Sequence, residues 1–382
     1  MGTPASVSRR PINSEEHLMS PVTELAQQTG KARKSWRRLA PRASAAAAFA
    51  SVLVVGAQAP VFASPVLANQ AKAGVASKKG KALSTVTVAY VPLPLFEPIF
   101  IAMHNGYFAQ RGISVKLTVV ASGQSATVLA ATNKVQVVLG GFSAGLFNAV
   151  HQGLDFKVVG SMAEEAPGTP ANGLVVSKSL KASGKVTNPG ELKGMKIGVD
   201  GGAGSTGAYL TAIALAPYHV KLSQVTLVNL NFPEMQNALK TGAVAAAYMS
   251  TPFLGAALLS GAGALLSGAP VGVAATGIIY GGTFARSPEA QPFFDALAEG
   301  AKQLKGAAAN SHANLAIVAK ATGESLSLLE SEPRNVFSPN LAPPVATLSH
   351  MQDVFLSAGD LSYSSAIPTS KYVDTTFSKK AG

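Results

Sequence analysis

The chain reads as an α/β protein: two successive strand–helix units, each with a mostly parallel sheet flanked by helices, followed by a helical tail. Three observations predict this. Short apolar, β-branched runs alternate with helical stretches from residue 85 to about residue 284, the βαβα grammar of helix-covered parallel sheets. The turns between them are short and rich in Gly, Ser and Pro. From residue 287 onward the pattern is helical alone. With 382 residues and 47% hydrophobic content, the chain suffices for one large or two medium domains.

Taken in order, Thr85–Tyr90 alternates and is β-branched, hence a strand. Val91–Phe96, with two prolines, is a loop, and Pro98–Asn105 is an apolar helix ended by Gly106. Ile113–Val120 is the second strand, and a turn at residues 121–125 opens a helix to about Thr132. Val135–Leu139 is a strand, Gly140–Ser143 a turn, and a helix runs on to Gln152 before a strand at Lys157–Gly160. The second unit repeats this: strands at Gly173–Ser177, Lys196–Val199, Val225–Leu230 and Ala243–Met249, with helices opening near Ser205, Pro233 and Pro252. The Gly, Ala and Leu-rich stretch Gly255–Gly272 holds a helix end and a strand, and Gly277–Phe284 is a strand again. Helices then cover Ser287–Lys305, Ala307–Ala321, Ser325–Glu332 and Val345–Ala358.

The stretch Lys196–Tyr209 (KIGVDGGAGSTGAY) organises the chain. A buried strand runs into a glycine-rich turn and a helix opening near Ser205 and Thr206. A helix start presents unpaired N–H groups and the positive end of its dipole, and glycines let a ligand oxygen reach the backbone. The pattern G-A-G-S-T-G also matches the dinucleotide fingerprint. That fingerprint wants an acid about 20 residues on, at the end of the next strand. No Asp or Glu lies between Asp200 and Glu234. The reading is a small-ligand contact or a plain strand–turn–helix, with no cofactor.

The charge sits at the front. Residues 1–81 hold twelve Lys and Arg against three acids, whereas residues 82–382 hold nineteen against sixteen. The body is therefore no electrostatic candidate for nucleic acid. Residues 1–68 read as an export signal: a basic region from Lys31 to Arg42, an uncharged stretch Ala43–Ala59, and small-residue sites ending at Ala63 and Ala68. Residues 69–84 read as a flexible tether. There is no Cys, which removes disulfides, thiolate chemistry and a lipid-modified N-terminal Cys. The expectation is a protein exported to the periplasm with its signal cleaved and no lipid anchor.

In parallel α/β sheets, ligands sit beyond the carboxyl ends of the strands. That selects one rim per unit as the candidate ligand contacts: Phe96; Ser122, Gln124 and Ser125; Phe142 and Ser143; Glu164; Gly204, Ser205 and Thr206; Tyr248, Ser250 and Thr251. The hydroxyls could hold a ligand or merely cap helices. Phe96 could stack or pack, and of Glu164 and Glu165, just past the fourth strand, one could accept an amine or both stay a solvated pair. None of these rim loops contains Lys or Arg, so an anion would be held by hydroxyls, N–H groups and dipoles alone. The body histidines, His104, His151, His219, His312 and His350, form no metal pair at three- to five-residue spacing. No G-x-S-x-G elbow marks a nucleophile.

The order of motifs resembles the solute-binding proteins of ABC importers for nitrate, sulfonates and taurine, with the thiamine-precursor binding proteins as near relatives. The resemblance runs from about Val86 to Phe377. It rests on AYVPLPLFEPIFIAMHNGYFAQRGISVKL, ASGQSATVLAATNKVQVVLGGFSA, NPGELKGMKIGVDGGAGSTGAYL and EMQNALKTGAVAAAYMSTPF, in that order. It implies a two-lobed type II periplasmic-binding fold, with residues 85–176 and 277–382 in lobe 1 and 177–276 in lobe 2. It further implies crossings near Val175–Lys178 and Thr276–Tyr280, ligand capture by hinge closure, and delivery to an inner-membrane ABC permease by a monomeric receptor. A small organic sulfonate, carboxylate or related compound is the implied ligand, with a thiamine-type pyrimidine precursor as the alternative. Since dehydratases and pyrimidine-forming enzymes share the fold, an enzyme is the other alternative. Two departures stand out: Ser250-Thr251 occupies the place where relatives often carry an acidic or aromatic pair, and the Cys-rich loop of the pyrimidine-synthesising relatives is absent.

Overall fold

The computed structural model of the chain describes residues 82–120 and 123–381, with residues 123–125 described by their backbone alone. The export signal expected over residues 1–68 lies outside the described residues, as do Ser122 and the tether up to residue 81. In chain order the strands are β1 (Ser84–Tyr90), β2 (Ile113–Val119), β3 (Val137–Gly141), β4 (Phe156–Ser161), β5 (Ala163–Glu164) and β6 (Asn172–Ser177). They continue with β7 (Lys196–Val199), β8 (Thr226–Asn229), β9 (Ala246–Ser250), β10 (Gly263–Gly268), β11 (Thr276–Gly281) and β12 (Val336–Phe337). The helices that position the site are α1 (Glu97–His104), α2 (Ala144–His151), α3 (Thr206–Leu215), α4 (Phe232–Thr241), α5 (Phe253–Leu259), α6 (Ala290–Lys302) and α7 (Val345–Ala358).

Two five-stranded sheets form, ordered β2-β1-β3-β11-β4 and β10-β6-β9-β7-β8, while β5 and β12 make a short ladder of their own. The pairs β1–β2, β1–β3, β7–β8 and β7–β9 are parallel, as the alternating grammar predicts. As expected of mostly parallel sheets, the strands of each share one direction except for one. β11 is antiparallel to β3 and β4, and β6 is antiparallel to β9 and β10. The cause is the route of the chain. A strand arriving from the other sheet enters from the side where that sheet's parallel strands end, so it must run against them. Both strands are buried along their whole length and read as continuous apolar runs, Leu174–Val176 and Ile278–Tyr280, rather than as alternation.

β6 pairs within the second sheet from Asn172 onward, and β11 within the first from Thr276. The chain thus changes sheets between Ser161 and Asn172, ahead of the expected boundary at residue 176, and again between Gly268 and Thr276. The two crossing segments bind each other. Met162 N–H donates to Thr276 O (3.0 Å), Glu165 N–H to Val273 O (3.3 Å), Gly272 N–H to Glu165 O (2.9 Å) and Ala269 N–H to Asn172 O (2.9 Å).

The strand expected at residues 135–139 sits two residues later. Val135 N–H is spent on Leu129 O (3.2 Å), so pairing starts with Val137 opposite Val88. Likewise the strand expected over residues 277–284 ends at Gly281, where a helical turn begins.

Each sheet is covered on both faces. α1 and α6 pack on one face of the first sheet, with Ile99, Phe293 and Phe294 in its core. The other face holds Phe142 and Phe147 together with Tyr209 of α3 and Leu348, Met351 and Phe355 of α7. Val354 and Ala358 of the same α7 pack on the core of the second sheet. That helix therefore belongs to both halves, although the sequence reading gives it to lobe 1.

The α1–α6 contact is close because Gly300 has no side chain. A Cβ there would stand 2.2 Å from Pro98 O and 3.0 Å from Ala102 Cβ. Gly300→Ala should therefore destabilise, overpacking of this kind costing about 1–3 kcal/mol, although Ala is the better helix former. Urea denaturation measures it, and a variant as stable as the parent would contradict this packing account.

Candidate functional site

Strand β7 stops at Val199, and the next residues turn through left-handed backbone at Gly201 (φ 80°), Gly202 (φ 69°) and Gly204 (φ 70°). These are conformations that glycine adopts without steric cost. The turn delivers Ser205 as N-cap of α3, its Oγ accepting Ala208 N–H at 3.1 Å. Thr206 and Gly207 open the helix, where no carbonyl one turn back receives their N–H groups. Across the gap, β3 ends at Gly141, and Ser143 caps α2 by accepting Leu146 N–H at 3.3 Å.

These two turns clasp each other. Thr206 Oγ1 donates to Phe142 O at 2.8 Å, and Ala144 N–H donates to Gly204 O at 2.8 Å. The fit requires bare backbone. A Cβ on Gly141 would lie 2.1 Å from Thr206 Oγ1, and one on Gly204 would lie 2.7 Å from Ala144 Cβ. The halves are thus in direct contact beside a cavity.

That cavity, of about 90 Å³, is lined from the first half by Val91, Leu93, Leu95, Phe96, Gly141, Ser143 and Thr276. The second half contributes Asp200, Gly201, Ser205, Thr206, Gly207, Leu210, Phe232, Tyr248 and Ser250. A smaller compartment of about 50 Å³ shares Leu95, Thr206, Leu210, Ser250 and Thr276 with it and reaches Glu165, Asn172 and Asn335. Phe232 stacks on Phe253 with ring centres 5.4 Å apart and planes at 7°.

Of the rim residues chosen from sequence, the structure brings Phe96, Ser143, Ser205, Thr206, Tyr248 and Ser250 to this wall. Others stand elsewhere. Phe142 is fully buried in the first-sheet core, against Gly277. Thr251 lies on the opposite side of β9's end, beside Glu97 and Arg334. Glu164 is in β5, paired with Val336. Gly204 abuts Ala144 and Asp360 rather than the cavity. Ser122 and the side chains of Gln124 and Ser125 lie outside the described residues. Glu165, the other member of the acidic pair weighed from sequence, reaches the smaller compartment. Sequence reasoning does not select Asp200, Thr276, Phe232 and Leu210; the strand-end rule, applied to Asp200, would find it.

Three polar side chains of the wall, Ser143, Ser205 and Thr206, are already engaged, and four are not, the Ser250 hydroxyl among them. Tyr248 Oη and Thr276 Oγ1 are buried without a hydrogen-bond partner. Burial, and then the nearby Glu165, hold the Tyr248 phenol well above its usual value, so it stays protonated. Among the described residues the Asp200 carboxyl likewise has no partner, and burial pushes it up to about 6. Glu165 is 2% exposed and is braced: its carboxylate accepts Ala171 N–H (2.6 Å) and Asn172 Nδ2 (2.8 Å). Among the described residues, no Lys, Arg or His lines either compartment. No cluster among them could hold a metal ion, and none of their helices is long and apolar enough to cross a membrane.

A second polar cluster lies behind the cavity wall. Arg334 pairs with Glu97 at the start of α1. Glu332 presses its Oε1 on α5, where a Cβ at Gly255 would meet it at 2.7 Å. The carboxylate oxygens of Glu332, Glu324 Oε2 and Arg334 Nη1 are buried without a hydrogen-bond partner. Burial pushes Glu324 and Glu332 up to about 7.

Residues 94–272 match the family model described as NMT1/THI5 like. Several solved structures are similar to the chain. The alkanesulfonate-binding protein SsuA from Xanthomonas axonopodis pv. citri, bound to MOPS, is 17% identical with a TM-score of 0.61, over 76% of this chain and 98% of its own. The periplasmic nitrate-binding protein NrtA from Synechocystis PCC 6803 is 14% identical with a TM-score of 0.64, over 78% and 88%. A cysteine-to-serine variant of DszB in complex with biphenyl-2-sulfinic acid is 16% identical with a TM-score of 0.52, over 78% and 98%. Likeness at these identities carries the fold: this is the two-lobed fold of periplasmic binding proteins. No curated protein matches the chain.

The buried carboxyls of the Arg334 cluster set a pH dependence. Their folded pKa values lie above the ordinary 4.5, so the folded state binds more protons than the unfolded one between about 4.5 and 7. Stability should therefore be greatest at the acid end of that window, fall as pH rises through about 7, and flatten above it. Melting temperatures at pH 5, 6, 7 and 8 measure this. Glu332→Gln should reduce the slope, and a melting temperature that climbs with pH over this range would contradict the assignment.

Proposed function

We propose that the chain is a solute-binding receptor of an ABC importer, exported to the periplasm, that closes its two lobes around a small organic molecule and presents it to a membrane permease. The division follows the sheets, with β6 to β10 forming the second lobe. What carries the reading is the cavity between the clasped turns: its wall comes from both halves and includes buried hydroxyls without partners. The paired crossing segments would serve as the hinge, a known device for closure around ligands. The similar structures of named sulfonate- and nitrate-binding proteins support the same reading.

The ligand on this reading is a small organic sulfonate, carboxylate or related compound. It would be held by the N–H groups of Thr206 and Gly207, the hydroxyls of Tyr248, Ser250 and Thr276, and the ring of Phe96. Nitrate fits less well, since no cation lines the wall. A thiamine-type pyrimidine precursor is the second reading, favoured by the aromatic side chains of Phe96, Phe232 and Tyr248 around the cavity. DszB shows that the chain's structural neighbours extend beyond transport proteins. Against chemistry here, the wall hydroxyls are not set against a base: Ser143 and Ser205 accept amide N–H groups and Thr206 donates to a carbonyl.

Calorimetric titration with taurine, an alkanesulfonate, nitrate and a pyrimidine tests the proposal. One organic compound should bind and raise the melting temperature, the folded state gaining about 2.7 kcal/mol at a hundredfold excess over Kd. Tight binding of nitrate alone would overturn it.

A further inference from the structure

We propose that Asp200 selects the ligand, and that the cavity takes a small molecule carrying an ammonium or other N–H donor in preference to anions that lack one. This rests on the receptor reading above and sharpens it.

The argument is an accounting of the wall's polar groups. Ser143 and Ser205 spend their oxygens on helix caps, and Thr206 spends its hydroxyl proton on Phe142 O. Glu165, in the smaller compartment, already accepts one hydrogen bond on each oxygen, from Ala171 and Asn172. Four groups remain: the Ser250 hydroxyl, without a partner among the described residues, and three more. Tyr248 Oη and Thr276 Oγ1 are buried and unpartnered, on residues 3% and 9% exposed. The third is the Asp200 carboxyl, which lines the larger compartment and has no partner among the described residues.

A carboxylate withdrawn from water without a partner is costly. With the halves clasped, Asp200 is half-buried and has no partner among the described residues, and a ligand in the cavity can supply one. An N–H donor does so, and a charged one does it best, because charge-assisted hydrogen bonds are the stronger kind. A second anion does the reverse. With Asp200 on the wall, Glu165 beyond it and no Lys, Arg or His lining either compartment, nothing offsets the repulsion except the start of α3. That helix start still offers the N–H groups of Thr206 and Gly207 to an acceptor atom. The site therefore suits a bifunctional molecule, with acceptor atoms toward α3 and an N–H donor toward Asp200. Burial that raises the Asp200 pKa adds to this, since a donor beside the carboxylate restores its ionised form.

The test compares matched pairs that differ by one amino group: ethanesulfonate with 2-aminoethanesulfonate, propanoate with 3-aminopropanoate, and pyrimidine with 4-aminopyrimidine. Each is titrated calorimetrically into the full-length protein. In every pair with a binding member, the amino compound should bind more tightly by about tenfold to a hundredfold, the worth of one charge-assisted hydrogen bond. Asp200→Asn, nearly the same shape without the charge, should bring that ratio close to one, and Asp200→Ser should do the same. Binding of the amine-free members as tightly as their partners would overturn the assignment of Asp200 while leaving the receptor reading in place. So would an unchanged ratio in variants that still melt cooperatively. If no member of any pair binds the cooperatively folded protein, the receptor reading falls and this proposal falls with it.

Discussion

Everything at the site depends on two short hydrogen bonds between bare turns. Thr206 Oγ1 to Phe142 O and Ala144 N–H to Gly204 O join the halves where Gly141 and Gly204 let backbones approach. They set the distance between the sheets, and so fix which side chains share the cavity. Each bond alone is worth little, because its groups could otherwise bind water. Their weight lies in position. They need the two halves side by side, so on the hinge reading proposed above they would belong to the closed arrangement alone.

The surroundings are built to leave those turns undisturbed. Ser143 and Ser205 cap the helices that follow, fixing where α2 and α3 begin. Behind the wall, Phe232 stacks on Phe253 and the Arg334 cluster braces α1 against α5. The crossing segments are tied to each other by a short ladder of backbone bonds. The cleft is therefore bounded by features whose own polar groups are largely satisfied. The four groups left over, on Asp200, Tyr248, Ser250 and Thr276, are conspicuous for that reason.

Much of this was legible in the sequence, because it is local. A strand, three glycines and a Ser-Thr pair announce β7, its turn and α3. The strand-end rule then finds Phe96, Ser143 and Tyr248. What was not legible is mostly direction and parity. No residue of β6 or β11 records that it runs against its neighbours; only the path between the sheets decides that. Side chains alternate along extended chain, so Tyr248 and Ser250 reach the cavity while Thr251 turns away. By the same alternation Gly141 and Ser143 face it and Phe142 enters the core. A sequence reading that takes whole rim loops cannot make that distinction without the register. Asp200 was overlooked because attention went to the glycines that follow it. Thr276 was overlooked because it arrives on a returning strand from far along the chain.

Helix α7 has a further consequence. It shares one apolar core with Tyr209 and Phe147 and touches a second through Val354 and Ala358, and Tyr209 Oη lies 3.0 Å from His350 Nδ1. Prising the halves apart would wet part of this seam, so the shut form carries a stabilisation that owes nothing to any guest. On the receptor reading proposed above, such a molecule would have its own preference for being shut. How long a captured molecule stays inside is then set by how often that seam parts, as well as by the molecule's own grip.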